Sequence, residues 1–301
     1  MSRDLPLRGK TALVTGVSRR RGIGFGVACA LADLGANIAV HHFQQHDERL
    51  PWGSDDLDEV RAGIRSHLAD GASFTDISTD LQDATTIPAI LDEAFSLTGS
   101  LDILVCNHAR SGDDGSILDM TPERLDAFWD TNTRSTLLLT AEYARRQSGH
   151  GAGDGTEDRD DTNKTPLRPG DPVPFHGPFD EPVGHVFWMT SGQLEAPMPG
   201  EVAYATSKAA LAGTTKTVAA ELMRLGIILN TVNPGPVNTG YLDSETTDRD
   251  LSALGDRFAE LPFGRLGVPS DPAELIAWLS TSKGSWIVGQ VITSDGGFSL
   301  T

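Results

Sequence analysis

The chain has 301 residues, with 42 Asp and Glu against 24 Lys and Arg, a formal net charge of −18 at pH 7. So acidic a chain offers no broad basic surface, which argues against nucleic acid and anionic lipid as partners. No run of about eighteen apolar residues occurs, so no membrane span is expected, and Met1-Ser2-Arg3-Asp4 lacks the basic-then-apolar order of a secretory leader. The only cysteines, Cys29 and Cys106, fall in apolar segments, which suits buried thiols and a cytoplasmic location.

In chain order, Lys10 to Thr15 is a short β-branched run that predicts a strand. Gly16-Val17-Ser18-Arg19-Arg20-Arg21-Gly22-Ile23-Gly24 follows as a glycine-rich turn. An Ala-rich helix is expected over Phe25 to Leu34, stopped by Gly35, and a second strand over Asn37 to Val40. Strand, glycine turn, helix, strand is the pattern of a dinucleotide-binding unit. Glycine lets the backbone approach a pyrophosphate, and the helix N-terminus offers free N–H groups. A helix is expected over Leu137 to Arg146 and a strand over His185 to Met189. The β/α alternation runs almost to the end, predicting an α/β fold with one doubly wound Rossmann-type domain over residues 1–301. Its sheet is expected to be seven-stranded and mostly parallel, with helices on both faces.

Tyr204 and Lys208 stand four residues apart, with Ser191 thirteen residues upstream of Tyr204. Helical positions four apart share a face. A nearby ammonium lowers a phenol from its free pKa of about 10, and a Tyr tuned this way can serve as a general acid. A Ser hydroxyl can hold a substrate oxygen beside it. A Tyr and a Lys at this spacing are more often an exposed helix face, so the trio gains weight only from the other motifs.

Together these motifs resemble the short-chain dehydrogenase/reductase family over nearly the whole chain. Thr15-Gly16 and Gly22-Ile23-Gly24 match its cofactor loop, here longer by two residues, and Ser18 and Arg19 to Arg21 lie within it. Asp80-Leu81 matches the adenine-binding site. Asn107, with Cys106, His108 and Ala109 departing around it, matches the strand end beside the nicotinamide. The resemblance implies catalytic roles for Asn132, Ser191, Tyr204 and Lys208. It implies cofactor contacts from Tyr204, Lys208 and the Pro234-Gly235-Pro236-Val237-Asn238-Thr239 segment. Gly289 to Ile292 and Asp295-Gly296-Gly297 resemble the family's C-terminal strand and tail. Relatives generally form tetramers through the helices that here contain Asn132 to Arg146 and Tyr204 to Leu225. In the second helix Ala209, Leu211, Val218 and Leu222 lie on more than one stripe, as an interface would require.

NADP(H) is favoured as cofactor, because Arg19 to Arg21 could clamp a 2′-phosphate and His42 ends strand two where NAD-preferring relatives carry an acid. NAD(H) stays open through Asp47 and Glu48. His41, His42 and His46 lack the partners of a zinc set, so no metal is expected. Gln193 and Tyr241 are candidate substrate contacts. His108 is either a substrate contact or a packed residue. Leu242 to Leu266 is expected to cover the substrate. Between His150 and Pro182 lie eight acids, three bases and six prolines without apolar periodicity. An insertion over 148–184 is expected there, at the edge opposite the site, either solvated or touching another subunit. The expected activity is reduction of a ketone or 3-oxoacyl thioester, or the reverse oxidation, close to 3-oxoacyl-carrier-protein reductases. Tyr-x3-Lys spacing argues against the enoyl reductase branch. A nucleotide-binding regulator without turnover is the alternative.

Overall fold

β-Branched and apolar residues in uninterrupted runs form strands buried on both faces, and the central strands here have that character. The computed structural model describes residues 5–148, 166–173, 177–247 and 263–300. β1 (Thr11–Thr15), β2 (Asn37–His42), β4 (Ile103–Cys106), β5 (Gly184–Met189) and β6 (Ile227–Asn233) are buried along their whole length. β3 (Phe74–Ser78) and β7 (Val291–Thr293) are more open and form the two edges. The strand order is β3-β2-β1-β4-β5-β6-β7, and every pairing is parallel. The order reverses between β1 and β4. That reversal opens a crevice at the C-terminal ends of these strands, where open α/β sheets bind ligands.

Alternation along the strands feeds two cores. Val14, Val40 and Phe187 face α1 (Ile23–Asp33) and the C-terminal helix over Ser270–Leu279. Leu13, Leu104, Trp188 and Leu229 face the opposite layer. That layer holds α4 (Ile87–Ser96), α6 (Ser135–Gln147) and α7 (Val202–Met223). The remaining helices of the described residues are α2 (Gln44–Asp47), α3 (Leu57–Arg65) and α5 (Pro122–Phe128), so the helix over Ser270–Leu279 is α8 here. A π-helical turn over Trp129–Arg134 joins α5 to α6. No helix among the described residues is long and apolar enough to cross a membrane.

The α1 and α6 expectations match the observed helices to within two residues. α7 differs in one respect. Leu211 and Leu222 are buried in the core and Val218 packs against it, so these residues do not form a second stripe. Part of the expected insertion, residues 149–165 and 174–176, lies outside the described residues. Its last part runs along the sheet's N-terminal edge, where the Val183 amide donates to the Gly226 carbonyl at 2.8 Å. That edge is opposite the crevice.

Both cysteines are buried, and burial pushes each thiol up to about 12, so neither is a ready nucleophile. Burial also holds His41 and His185 down at about 4, below the usual histidine value. Such a group stays neutral in the folded chain while the unfolded chain takes up a proton. Its contribution is complete above about pH 6.5 and is lost as pH falls towards about 4. For fully buried His41 the loss between pH 7 and pH 5 is about 2 kcal/mol. Denaturant unfolding at the two pH values should therefore show lower stability at pH 5, and His41→Asn should flatten that slope.

Candidate active site

The glycine turn closes against the end of β4. A Cβ on Gly16, whose φ is +75°, would stand 2.7 Å from the His108 Cα. One on Gly24 would stand 2.6 Å from Asn107 Nδ2. Only glycine fits either place. The two extra residues are absorbed by a turn in which the Gly22 amide donates to the Arg19 carbonyl at 3.0 Å. Gly22 then caps α1 without a side chain, so the helix's positive end carries no side-chain cap bond. Asn107 Nδ2 donates to the carbonyls of Thr15 (3.0 Å) and Gly16 (3.2 Å), tying the strands on either side of the reversal.

Two neutral histidines floor this loop. His41 Nε2 donates to the Thr79 carbonyl at 2.9 Å, leaving Nδ1 to accept the Gly16 amide at 3.4 Å. Ser135 gives its proton to the Thr131 carbonyl, so His108 Nε2 must donate to Ser135 Oγ at 2.7 Å. His108 Nδ1 then accepts from Thr15 Oγ1 at 2.6 Å. With both ring nitrogens engaged and 6 % of the residue exposed, His108 is packed and is not a substrate contact. Burial, with His41 and Lys208 nearby, holds its pKa well below the ordinary value.

The charged residues of the loop find partners the sequence did not disclose. Ser18 donates to Asp47, and Arg19 donates to the Thr239 carbonyl. Arg20 pairs with Glu59 at 2.7 Å, both side chains more than half exposed, which is the solvated case. Arg21 pairs with Asp243 at 2.6 Å. His42 is buried, with Nε2 2.9 Å from Asp76, which Arg61 also grips. Asp80 bends onto its own turn, accepting from the Gln82 amide at 2.9 Å, and Leu81 is buried beneath it. Beyond β6, Gly235 accommodates Asp295, and Val237 is buried and bridged to Gly267. Pro234 precedes Gly235 in this loop, and Tyr241 meets the Trp52 ring edge-on at 6.3 Å. Residues 248–262 of the expected covering segment lie outside the described residues.

Tyr204 and Lys208 occupy the first two turns of α7. Lys208 is 2 % exposed, its Nζ donates to the Met189 carbonyl at 2.9 Å and lies 5.8 Å from the Tyr204 ring centroid. Burial pushes its pKa down to about 8. The Tyr204 ring is backed edge-on by Phe128 at 6.5 Å, and Arg110 lies over the Phe128 ring. Asn132 sits in the π-helical turn, fully buried. Its Oδ1 accepts from the Arg110 amide at 2.6 Å and its Nδ2 donates to Ser207 Oγ at 2.9 Å. Ser207 in turn donates to the Tyr204 carbonyl at 2.7 Å. Ser191 follows β5 in extended backbone. Thr190 gives its proton to the Lys208 carbonyl at 3.0 Å, so Gln193 must present Nε2 to Thr190 Oγ1, at 2.9 Å.

Thr15, which the glycine motif already includes, also binds His108 and the Asn107 amide. Two participants escaped the sequence reading. Ser207 joins Asn132 to the Tyr204 turn, and Asp114 holds the start of α7. Ser207 lies between the two recognised residues and could have been flagged by its place in the motif. Asp114 carries no local mark.

Comparison with known proteins agrees with this geometry. The family profile described as "Enoyl-(Acyl carrier protein) reductase" matches residues 16–153 and 177–299. The chain is 33 % identical to "Uncharacterized oxidoreductase YjdA" of Bacillus subtilis over 290 residues, 96 % of each chain. It is 28 % identical to the "3-oxoacyl-[acyl-carrier-protein] reductase FabG" of Staphylococcus aureus, covering 96 % of this chain and 97 % of that one. A crystal structure of a short-chain dehydrogenase from Burkholderia cenocepacia in complex with NADP superposes with a TM-score of 0.72 at 27 % identity, covering 97 % of this chain and 99 % of that one. A seven-stranded parallel sheet, a glycine cradle at its reversal and a Tyr–Lys helix beside it place this chain in the short-chain dehydrogenase/reductase family of oxidoreductases.

Proposed function

We propose that the protein is an NADP(H)-dependent reductase of a ketone or 3-oxoacyl thioester, running in reverse as a secondary alcohol dehydrogenase. The observation that carries this is the buried Lys208 ammonium 5.8 Å from the Tyr204 ring centroid. Burying an ammonium is unfavourable, and a regulator without turnover has no use for it. The cradle at Gly16 and Gly24 and the start of α1, which no side chain caps, fit a dinucleotide. When bound, that cofactor supplies the hydride. Tyr204 donates its phenolic proton to the substrate carbonyl oxygen, and Ser191 orients that oxygen by a hydrogen bond. Lys208 holds positive charge beside the phenol, which favours loss of its proton. Asn132 positions a water that links Lys208 to solvent. Gln193 and Tyr241 line the substrate side.

The 3-oxoacyl preference rests on the Staphylococcus aureus relative's printed activity. The Tyr204–Lys208 spacing weighs against the enoyl reduction named by the family profile. For the cofactor, Arg19 and Arg21 favour NADP(H), and the NADP-bound neighbour agrees. One feature favours NAD(H): Asp47 at Ser18, a carboxylate that would repel a 2′-phosphate. Burial raises the Asp47 pKa, which weakens that objection. The acting unit is one domain over 1–301, with an insertion at about 148–184, working in the cytoplasm on a small-molecule or acyl-thioester substrate.

Tyr204→Phe should lower turnover of activated ketones about 10²–10⁴-fold while cofactor affinity stays near wild type. Full turnover on every substrate the wild type reduces would rule out Tyr204 as the donor. Fluorescence titration should give tighter binding of NADPH than of NADH. The opposite order would assign Asp47 to the ribose hydroxyls. Assembly is expected to be a homotetramer through the α6 and α7 region. Leu125 and Trp129, 39 % and 44 % exposed just before α6, give an apolar surface for it. Light scattering at micromolar concentration should report four chains, and a monomer would exclude that interface.

A further inference from the structure

A helix of 22 residues needs its leading N–H groups satisfied, and α7 has no local means of doing so. Its N-cap residue, Glu201, makes no side-chain cap bond. The Glu201 backbone, at φ −127° and ψ 44°, is not in the extended region from which a cap side chain turns back onto the helix. The partners come instead from the loop between β4 and α5. The Gly115 carbonyl accepts the Val202 amide at 3.2 Å. Asp114 Oδ1 accepts the Ala203 amide at 3.1 Å, and Asp114 Oδ2 accepts the Tyr204 amide at 2.8 Å. Oδ1 also accepts the Gly115 amide at 2.7 Å, which fixes the carboxylate's own orientation. Asp113, just before it, is a non-glycine residue at positive φ, 55°. The loop therefore adopts an uncommon conformation at the point where it delivers this carboxylate.

We infer that Asp114 is a positioning residue for the reaction, acting through Tyr204. One of its oxygens is bonded to the backbone of the proton donor itself. The negative charge also sits at the positive end of α7, where it is favourable. The same loop begins at Asn107 and includes Arg110, whose amide and carbonyl are bonded to Asn132. Asp114 thus ties the helix carrying Tyr204 and Lys208 to the wall carrying Asn107 and Asn132. Without that tie the first turn of α7 is free to fray, and the phenol loses its fixed distance from the substrate oxygen. A misplacement of about 1 Å can cost on the order of 10²-fold in rate.

The inference rests on Tyr204 being the proton donor, and one experiment separates the two claims. Wild type, Tyr204→Phe, Asp114→Ala and Asp114→Asn are compared for kcat and KM on one ketone at saturating NADPH, for NADPH affinity by fluorescence, and for folded fraction by circular dichroism. Asp114→Ala is expected to lower kcat per folded enzyme about 10–100-fold, with KM and NADPH affinity within about twofold. Asp114→Asn keeps one acceptor oxygen and should recover part of the lost kcat. Unchanged kcat per folded enzyme in Asp114→Ala overturns the inference. So does a loss that tracks weakened NADPH binding, which would place the fault in the cofactor wall. If Tyr204→Phe retains full turnover, the donor assignment itself fails. If only Tyr204→Phe is impaired, the donor assignment stands and the role of Asp114 falls.

Discussion

A charged amine in the interior is the constraint on which this site depends. Lys208 is almost wholly buried, and the shift of its pKa to about 8 corresponds to roughly 3 kcal/mol against its charged form. The Met189 carbonyl and the Tyr204 ring offset part of that cost. Such a charge is useful only if the helix under it does not move. α7 is accordingly bonded by short hydroxyl side chains that reach its carbonyls. From outside the helix Thr133 donates to the Ser207 carbonyl and Thr190 to that of Lys208, and within it Ser207 donates to that of Tyr204. Serine and threonine suit this task because their reach is about one bond, so each fixes a distance and not merely a neighbourhood.

The opposite wall is held by neutral histidine. A relay from Thr15 through His108 and Ser135 to the Thr131 carbonyl runs from the end of β1 into the turn that carries Asn132. Protonation of His108 would turn its acceptor nitrogen into a second donor, and Thr15 would have to turn its own proton to the Val105 carbonyl, 3.2 Å away, in order to accept it. The glycine turn and the Asn132 wall are therefore set by one chain of hydrogen bonds, whose directions follow from the neutral imidazole. At His108, a departure from the family pattern, this chain has a ring that orders both walls.

What was legible in the sequence follows from range. β1, β2 and β5 read correctly because their apolar runs state their own burial, and α1 because alanine and glycine state close packing. The proximity of Tyr204 and Lys208 was legible because one helix sets their spacing. The π-helical turn at Trp129–Arg134 was not legible, since one shifted backbone bond leaves no trace in residue type. The partners of the arginines were not legible either. Arg21 is 222 residues from Asp243, and a long side chain chooses its partner in space. The Asp76 partner of His42 was not legible for a simpler reason. Adjacent strand residues point to opposite faces, so placing His41 beneath Gly16 already sends His42 the other way.

The links across the mouth of the crevice differ in strength, and that ordering bears on how ligand enters. Arg21 and Asp243 are 57 % and 28 % exposed at the side chain, so their attraction is screened and contributes about 0–1 kcal/mol. Arg19 is more enclosed, beside Asp47 and Asp55, and burial lowers its pKa against their opposing pull. An incoming anion can replace Asp243 at Arg21 with little loss. At Arg19 it must either displace a part-buried hydrogen bond to the Thr239 carbonyl or bind on the guanidinium's remaining edge. The second course keeps the loop after β6 attached to the glycine turn while the crevice fills. On that course an anion would leave the arrangement at Arg19 in place and displace only the exposed pair at Arg21.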